Sequence, residues 1–255
     1  MVVGMTSSDL WDADTAGRYD DPTSVMFSPE VLDPTIDFLA ALADGGPALE
    51  FAIGTGRVAV PLHERGVAVS GIELSQPMVD QLRRKASADV IPVVVGDMAT
   101  ASVDGTFGLV YLVFNTIGNL RTQAEQVACF RNAARHLAAG GHFVIELWVP
   151  DVRRFPPGLA AVPFEVSEQH TGFDTLDTVT QQGTSHHYTR QIDGSYQYST
   201  SNFRYLWPSE CDLMAQLAGL EFVERWADWH RTPFDGASGS HVSVWRKPVG
   251  TRSAG

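Results

Sequence analysis

Three acidic positions and a glycine turn carry most of the chemistry legible in this chain. Glu50 lies inside the apolar run Ala48-Leu49-Glu50-Phe51-Ala52-Ile53, which breaks into Gly54-Thr55-Gly56-Arg57. A strand that stops at such a turn, with a helix opening at Val58-Ala59-Val60, presents backbone N–H groups and few side chains to a ligand above it. Glu73 closes a second β-branched run, residues 67–73, and Gly96-Asp97-Met98 follows a third, residues 90–95. Ligands of parallel α/β sheets bind at the carboxyl ends of strands, where an acid such as Glu73 can accept both hydroxyls of a ribose. Residues 107–113 form a fourth strand, and Phe114-Asn115-Thr116 leaves its carboxyl end. An amide there can orient a ligand by hydrogen bonds but cannot remove a proton, so Asn115 is given a positioning role.

The spacing Gly54-x-Gly56-x-x-Ala59 also fits a dinucleotide fingerprint, so the turn alone admits an NAD-dependent oxidoreductase. Glu50 argues the other way: a carboxylate four residues before Gly54 sits poorly beside a phosphate and suits a cationic or hydroxyl-rich ligand. Together with Glu73 and Gly96-Asp97-Met98, the series resembles the class I S-adenosylmethionine-dependent methyltransferases over roughly residues 30–247. That family's pattern is acid-x-Gly-x-Gly-x-Gly, and Ala52 stands here in place of its first glycine, a mild departure in size. The resemblance implies S-adenosylmethionine as cofactor. It makes Asp97 the acceptor for the adenine amino group, packs Met98 against the ring and gives Glu73 the ribose. Glu50, Ala52, Gly54, Gly56, Arg57, Leu74 and Phe114 complete the expected cofactor site. It also implies an N-terminal arm folding over the cofactor, with Tyr19 either facing the sulfonium through cation–π attraction or only pinning the arm.

The positioning elements follow from periodicity. A helix is expected over 30–43, with Val31, Ile36, Leu39 and Leu42 on one face and a stop at Asp44-Gly45-Gly46-Pro47. Further helices are expected over 58–65, from Ser75-Gln76-Pro77 onward with Arg83, Arg84 and Lys85 as a solvated face, and over 121–137. Ala138-Ala139-Gly140-Gly141 then turns into a fifth strand over 142–149. From Pro150 the helical period disappears, and Asp193-Gly194 reads as the turn of a hairpin between residues 185–189 and 196–200. A helix over 208–219 and strands over 220–229 and 240–246 complete the chain. The expected fold is α/β: a Rossmann-like, seven-stranded, mostly parallel sheet with a reversed last strand, helices on both faces, and an antiparallel β insertion after the fifth strand. Its division would be an arm at 1–29, a cofactor-binding core at 30–150 and 206–248, an insertion at 151–205 covering the substrate, and a frayed tail from 249.

His186 and His187 in that insertion are the candidate catalytic bases, and strand alternation lets only one of them face a pocket. They lack a third ligand at recognisable spacing, so no metal site is expected. His136 and His142 read as structural. Tyr205, Trp207 and Trp229 either line an aromatic substrate pocket or belong to the core.

Bulk properties bound the partners. The 255 residues are 44% hydrophobic, enough for one α/β domain with an insertion, and 30 acidic against 18 basic side chains give a net charge of −12. Such a surface repels nucleic acid. No apolar run approaches a membrane span and the first residues lack signal-peptide character, so a cytoplasmic enzyme is expected. The two cysteines, Cys129 and Cys211, read as buried thiols. The layout resembles bacterial amino-sugar N-methyltransferases and related tailoring enzymes of secondary metabolism. It points to methyl transfer onto N or O of a small-molecule acceptor, with N ahead because no obvious base stands out. An S-adenosylmethionine-binding enzyme of cyclisation or rearrangement is the alternative, and a homodimer is left open.

Overall fold

Strands buried on both faces, with helices between most of them, build a layered α/β architecture. The computed structural model describes residues 9, 11–20 and 25–249. Helix α1 (Ala13–Tyr19) precedes α2 (Pro29–Ala43), β1 (Ala48–Phe51), α3 (Ala59–Glu64), β2 (Val69–Glu73), α4 (Gln76–Leu82), β3 (Val93–Val95), β4 (Phe107–Leu112), α5 (Gln123–His136) and β5 (Leu137–Trp148). Strands β6 (Val162–Val166), β7 (His170–Asp177), β8 (Gln182–Arg190) and β9 (Tyr196–Arg204) follow, then α6 (Pro208–Leu217), β10 (Glu221–Trp226) and β11 (Ser240–Arg246).

The main sheet has seven strands in the order β10-β11-β5-β4-β1-β2-β3, and β6–β9 form a separate four-stranded sheet. Strands β1 to β5 pair in parallel, whereas β11 runs antiparallel to both neighbours. Alternation along the strands divides the core in two. Leu49, Val110 and Phe143 pack with Phe130 of α5 and Met214 of α6. Their chain neighbours Ala48, Leu109 and Val144 pack on the other face with Ile36 of α2 and Leu62 of α3. Seven strands, the reversed last strand and the antiparallel insertion are as the sequence predicts.

Several boundaries differ for local reasons. Only Val93–Val95 of the expected third strand pairs, because Pro92 has no N–H to give and β3 is the sheet edge. Helix α5 begins at Gln123 rather than 121, since Thr122 and Glu125 close a capping box there. The segment 138–141 is not a free turn: β5 already pairs at Leu137, and a register shift carries the ladder past these residues. Gly141 is required at that crossing, because a Cβ on it would lie 2.9 Å from the Gly108 carbonyl oxygen. In α2, Val31 is exposed while Ile36 and Leu39 are buried. The expected fraying concerns residues that lie, from Gly250 on, outside the described ones.

A buried cation ties the four-stranded sheet to two helices of the main layer. Arg204, at the end of β9, donates to Gln126 of α5 (2.5 Å), Gln181 of the β7–β8 turn (2.8 Å) and Glu210 of α6 (2.7 Å). His136 is structural in the same sense. Its Nε2 accepts from the Val103 amide at 3.0 Å, which leaves Nδ1 to donate to the Asn132 carbonyl at 2.8 Å.

Candidate active site

The turn after β1 is held by the acid that ends β2. One Glu73 oxygen accepts from the Gly54 amide and the other from the Ser75 amide, both at 2.8 Å. Glu73 therefore secures the loop as well as facing whatever lies above it; each oxygen keeps a lone pair for a second partner. Burial raises its carboxyl from the ordinary range, against the pull of these amides. Ala52, Gly54 and Gly56 all have left-handed backbone, with φ of +52°, +57° and +80°. Ala52 thus departs from glycine in conformation as well as size, and an αL alanine costs roughly 1–2 kcal/mol. Gly56 lies beneath the turn, where a Cβ would meet Leu82 Cδ1 at 2.4 Å, so it permits α4 to close rather than lining the space above.

Glu50 is 3% exposed and accepts from the Tyr111 hydroxyl at 2.9 Å. Burial pushes its carboxyl up to about 8, opposed by the Tyr111 hydrogen bond and the Arg57 guanidinium and reinforced by Glu73. Past β3, Asp97 Oδ1 accepts from the Ala99 amide at 2.7 Å and folds the loop, with Oδ2 remaining. Met98 is buried beside it, its carbonyl held by Asn132 Nδ2 at 2.8 Å.

Beyond β4, Phe114 and Asn115 are consecutive left-handed residues, with φ of +58° and +61°. Non-glycine residues in that region carry about 1–3 kcal/mol of strain each and need surrounding support. The support is Glu146 of β5, which accepts from the Phe114 amide and from the Trp229 indole, each at 2.8 Å. Asn115 Oδ1 is taken by the Trp148 amide at 2.5 Å, so its Nδ2 is the group left for a ligand. Arg57 stacks over the Phe114 ring at 5.1 Å.

These strand ends, the arm and the four-stranded sheet enclose one cavity of about 840 Å³. Tyr19, Glu50, Ala52, Gly54, Arg57, Glu73, Leu74, Asp97, Met98, Phe114, Asn115 and His187 all line it, and Gly56 and His186 do not. His186 lies on the far side of β8, stacked on Phe173 at 4.8 Å and 2.7 Å from the Tyr198 hydroxyl. Tyr205 reaches the cavity, whereas Trp207 and Trp229 stay outside it. Trp229 instead packs edge-on against Phe38 at 5.4 Å. Tyr19 is wedged between Trp11 (5.3 Å) and Phe27 (6.4 Å), and burial raises its hydroxyl while Arg57 pulls it down. Asp20 accepts from Thr55 Oγ1 at 2.5 Å and pairs with Lys85 at 2.7 Å. Neither Lys85 nor Arg83 belongs to a merely solvated face, for Arg83 bonds the Ile91 carbonyl at 2.9 Å.

Residues 48–141 match the model of a methyltransferase domain. Over 187 residues the chain is 30% identical to a cypemycin N-terminal methyltransferase from a Streptomyces species, spanning 70% of this chain and 74% of that one. The structure of the CcbJ methyltransferase from Streptomyces caelestis superposes with a TM-score of 0.82 at 36% identity, covering 96% of this chain and 98% of its own. The chain belongs to the S-adenosylmethionine-dependent methyltransferases. A dTDP-3-amino-3,6-dideoxy-α-D-glucopyranose N,N-dimethyltransferase from Streptomyces fradiae is 35% identical over 114 residues, 44% of this chain and 43% of that one. The cofactor is S-adenosylmethionine, and the residues present fit it. The cavity lies within the usual size for a small-molecule site, and its acids suit hydroxyls and cations rather than a pyrophosphate. The dinucleotide reading of the glycine turn falls away.

In this methyltransferase, sequence reasoning missed Glu146, Tyr111 and Asp174. Glu146 carried the same signal as Glu50, an acid within an apolar strand, Phe143-Val144-Ile145-Glu146-Leu147. Asp174 lines the cavity and accepts from Ser185 Oγ at 2.7 Å, and only the β7–β8 register makes that visible.

Proposed function

We propose that this enzyme methylates an amine nitrogen of a small acceptor, an amino sugar or a related natural product. The observation that carries the reading is the shared cavity: Glu50, Glu73 and Asp97 from the strand ends lie on one side, and His187 and Asp174 from the four-stranded sheet on the other. Bound S-adenosylmethionine supplies a methyl group already activated on a sulfonium. Glu73 and the free oxygen of Asp97 would hold its ribose and adenine, and Glu50 with Arg57 and Tyr19 its methionyl end. Phe114 and Asn115 would orient the acceptor, and holding two reactants in line lowers the barrier by about 7 kcal/mol or more. The four-stranded sheet would serve as the substrate cover, and the arm as the cofactor cover. A net charge of −12 supports a small acceptor over nucleic acid, and the two free, buried cysteines fit a reducing cytoplasm. Among the described residues no helix is long and apolar enough to cross a membrane.

The test is incubation with S-adenosylmethionine and dTDP-3-amino-3,6-dideoxy-α-D-glucopyranose, and separately a short peptide with a free N-terminus, read by mass. Gain of one or two methyl groups on an amine is expected. Methylation of the corresponding 3-hydroxy sugar nucleotide, with the amines untouched, would overturn the nitrogen assignment.

A further inference from the structure

His187 is not an isolated histidine. Its Nδ1 lies 3.1 Å from Nε2 of His170, and Nδ1 of His170 lies 2.9 Å from the Glu165 carboxylate. The three side chains come from three adjacent strands, β8, β7 and β6, and the histidine rings stack with centroids 5.2 Å apart. Phe164 closes the pair on one side, 5.5 Å from His187. Gly172, directly opposite His187 in the ladder, makes the arrangement possible: a Cβ there would lie 2.2 Å from the Phe164 ring and 3.0 Å from His170 Cε1.

With both histidines neutral, hydrogen-bond bookkeeping fixes the protons. An ionised Glu165 only accepts, so His170 Nδ1 must carry the hydrogen. A neutral His170 then has Nε2 as an acceptor, and His187 Nδ1 must be the donor. The lone pair of His187 is thereby placed on Nε2, in a ring that belongs to the cavity lining. We infer that Glu165 and His170 are positioning residues that set His187 as a proton acceptor toward a cationic amine, an inference that rests on the cavity being the acceptor site of an N-methyltransferase.

The proton balance is simple. An amine that arrives as an ammonium has no lone pair for attack; transfer of one N–H proton to His187 Nε2 leaves a neutral amine and an imidazolium. The imidazolium keeps its Nδ1–H bond to His170, and Glu165 stabilises the added charge through that ring. Asp174, on the same strand face as His170, adds a negative charge that favours the cation. The titratable groups acting on His187 are His170 and Asp174 of β7, Glu165 of β6 and its neighbour His186; burial and then His170 lower its basicity, while the two carboxylates raise it. A neutral imidazole at working pH is what a proton acceptor requires.

The experiment is NMR of the ring nitrogens of 15N-histidine-labelled enzyme saturated with S-adenosylhomocysteine, with His187 assigned by loss of its signals in H187Q. The expected result is a protonated Nδ1 and a bare Nε2 on His187. H170F, which removes the acceptor, should shift the ring to the Nε2–H form, and H170Q, whose amide oxygen can accept, should restore Nδ1–H. If H170F does not fold, E165A releases the His170 tautomer and should give a mixture at His187. A wild-type His187 carrying its proton on Nε2, or a tautomer indifferent to H170F and E165A, would overturn the inference. Calorimetric titration of the same samples with S-adenosylhomocysteine separates the two readings: lost binding in wild type indicts the methyltransferase site and leaves the tautomer result standing.

Discussion

At the scale of single residues, the two acids proposed to hold the cofactor should respond differently to substitution. Asp97 uses one oxygen for its own loop and, on the proposed site, would give the other to the ligand, so Asp97→Asn preserves the Ala99 contact. It should weaken S-adenosylhomocysteine binding by about 1–3 kcal/mol, measured by calorimetry, with the unfolding midpoint unchanged. Glu73→Ala strands the buried amides of Gly54 and Ser75 as well. It should lower affinity and thermal stability together; a variant with full stability would show that the turn is held by something else. The sequence made Asp97 and Glu73 legible because each follows its strand directly. It did not reveal the second duty of Glu73, which depends on β1 and β2 lying side by side. Cys129 and Cys211 are buried as expected, and burial pushes the Cys211 thiol up to about 12.

At the scale of elements, the join between β9 and the helices rests on Arg204, 4% exposed among Gln126, Gln181 and Glu210. Removing one partner of a buried pair leaves the other charge uncompensated, which costs about 3–5 kcal/mol. Arg204→Ala should therefore destabilise the protein by that order in urea, and adding Glu210→Gln should recover part of the loss. Purely additive effects would show that the pair is not coupled. The hairpin of β8 and β9 was readable from Asp193-Gly194, since turn chemistry is local. Its attachment to α5 and α6 was not, because Gln126 and Arg204 are far apart in the chain. The edge position of β3 was hidden for the same reason: β-branched residues fit a central and an edge strand alike.

At the scale of the whole molecule, two buried groups titrate in opposite directions. The Glu50 carboxyl, raised to about 8, keeps its proton in the folded state, so the stability it confers at low pH is lost as pH rises from its unfolded value through 8. His241, fully buried and lowered to about 4 by its burial and then by Arg225, does the reverse. Its stability is present above about 6.5, the unfolded value, and is lost as pH falls toward 4. The two windows overlap between about pH 4.5 and 6.5, where the opposite slopes offset each other, so their joint contribution is level there and falls off on either side. From pH 6 to pH 8 the wild type should lose about 2–3 kcal/mol relative to Glu50→Gln, at ~1.4 kcal/mol per pH unit. Parallel denaturant curves for the two proteins across that range would refute the assignment.

What the sequence determined by itself was the sheet, its helices, the cofactor and the acids at the strand ends that line the cavity. Those features follow from apolar, β-branched runs, from helical periodicity, from glycine turns and from acids placed beside strand ends, all encoded within a few consecutive residues. The tertiary structure decided what depends on register between strands distant in sequence. It selected His187 over His186, set His170 and Glu165 behind it, committed the Asn115 oxygen to Trp148, and placed Glu146 under the strained Phe114-Asn115 pair. A one-residue slip in β8 would exchange the two histidines, and the ladders of β8 with β7 and β9 forbid that slip.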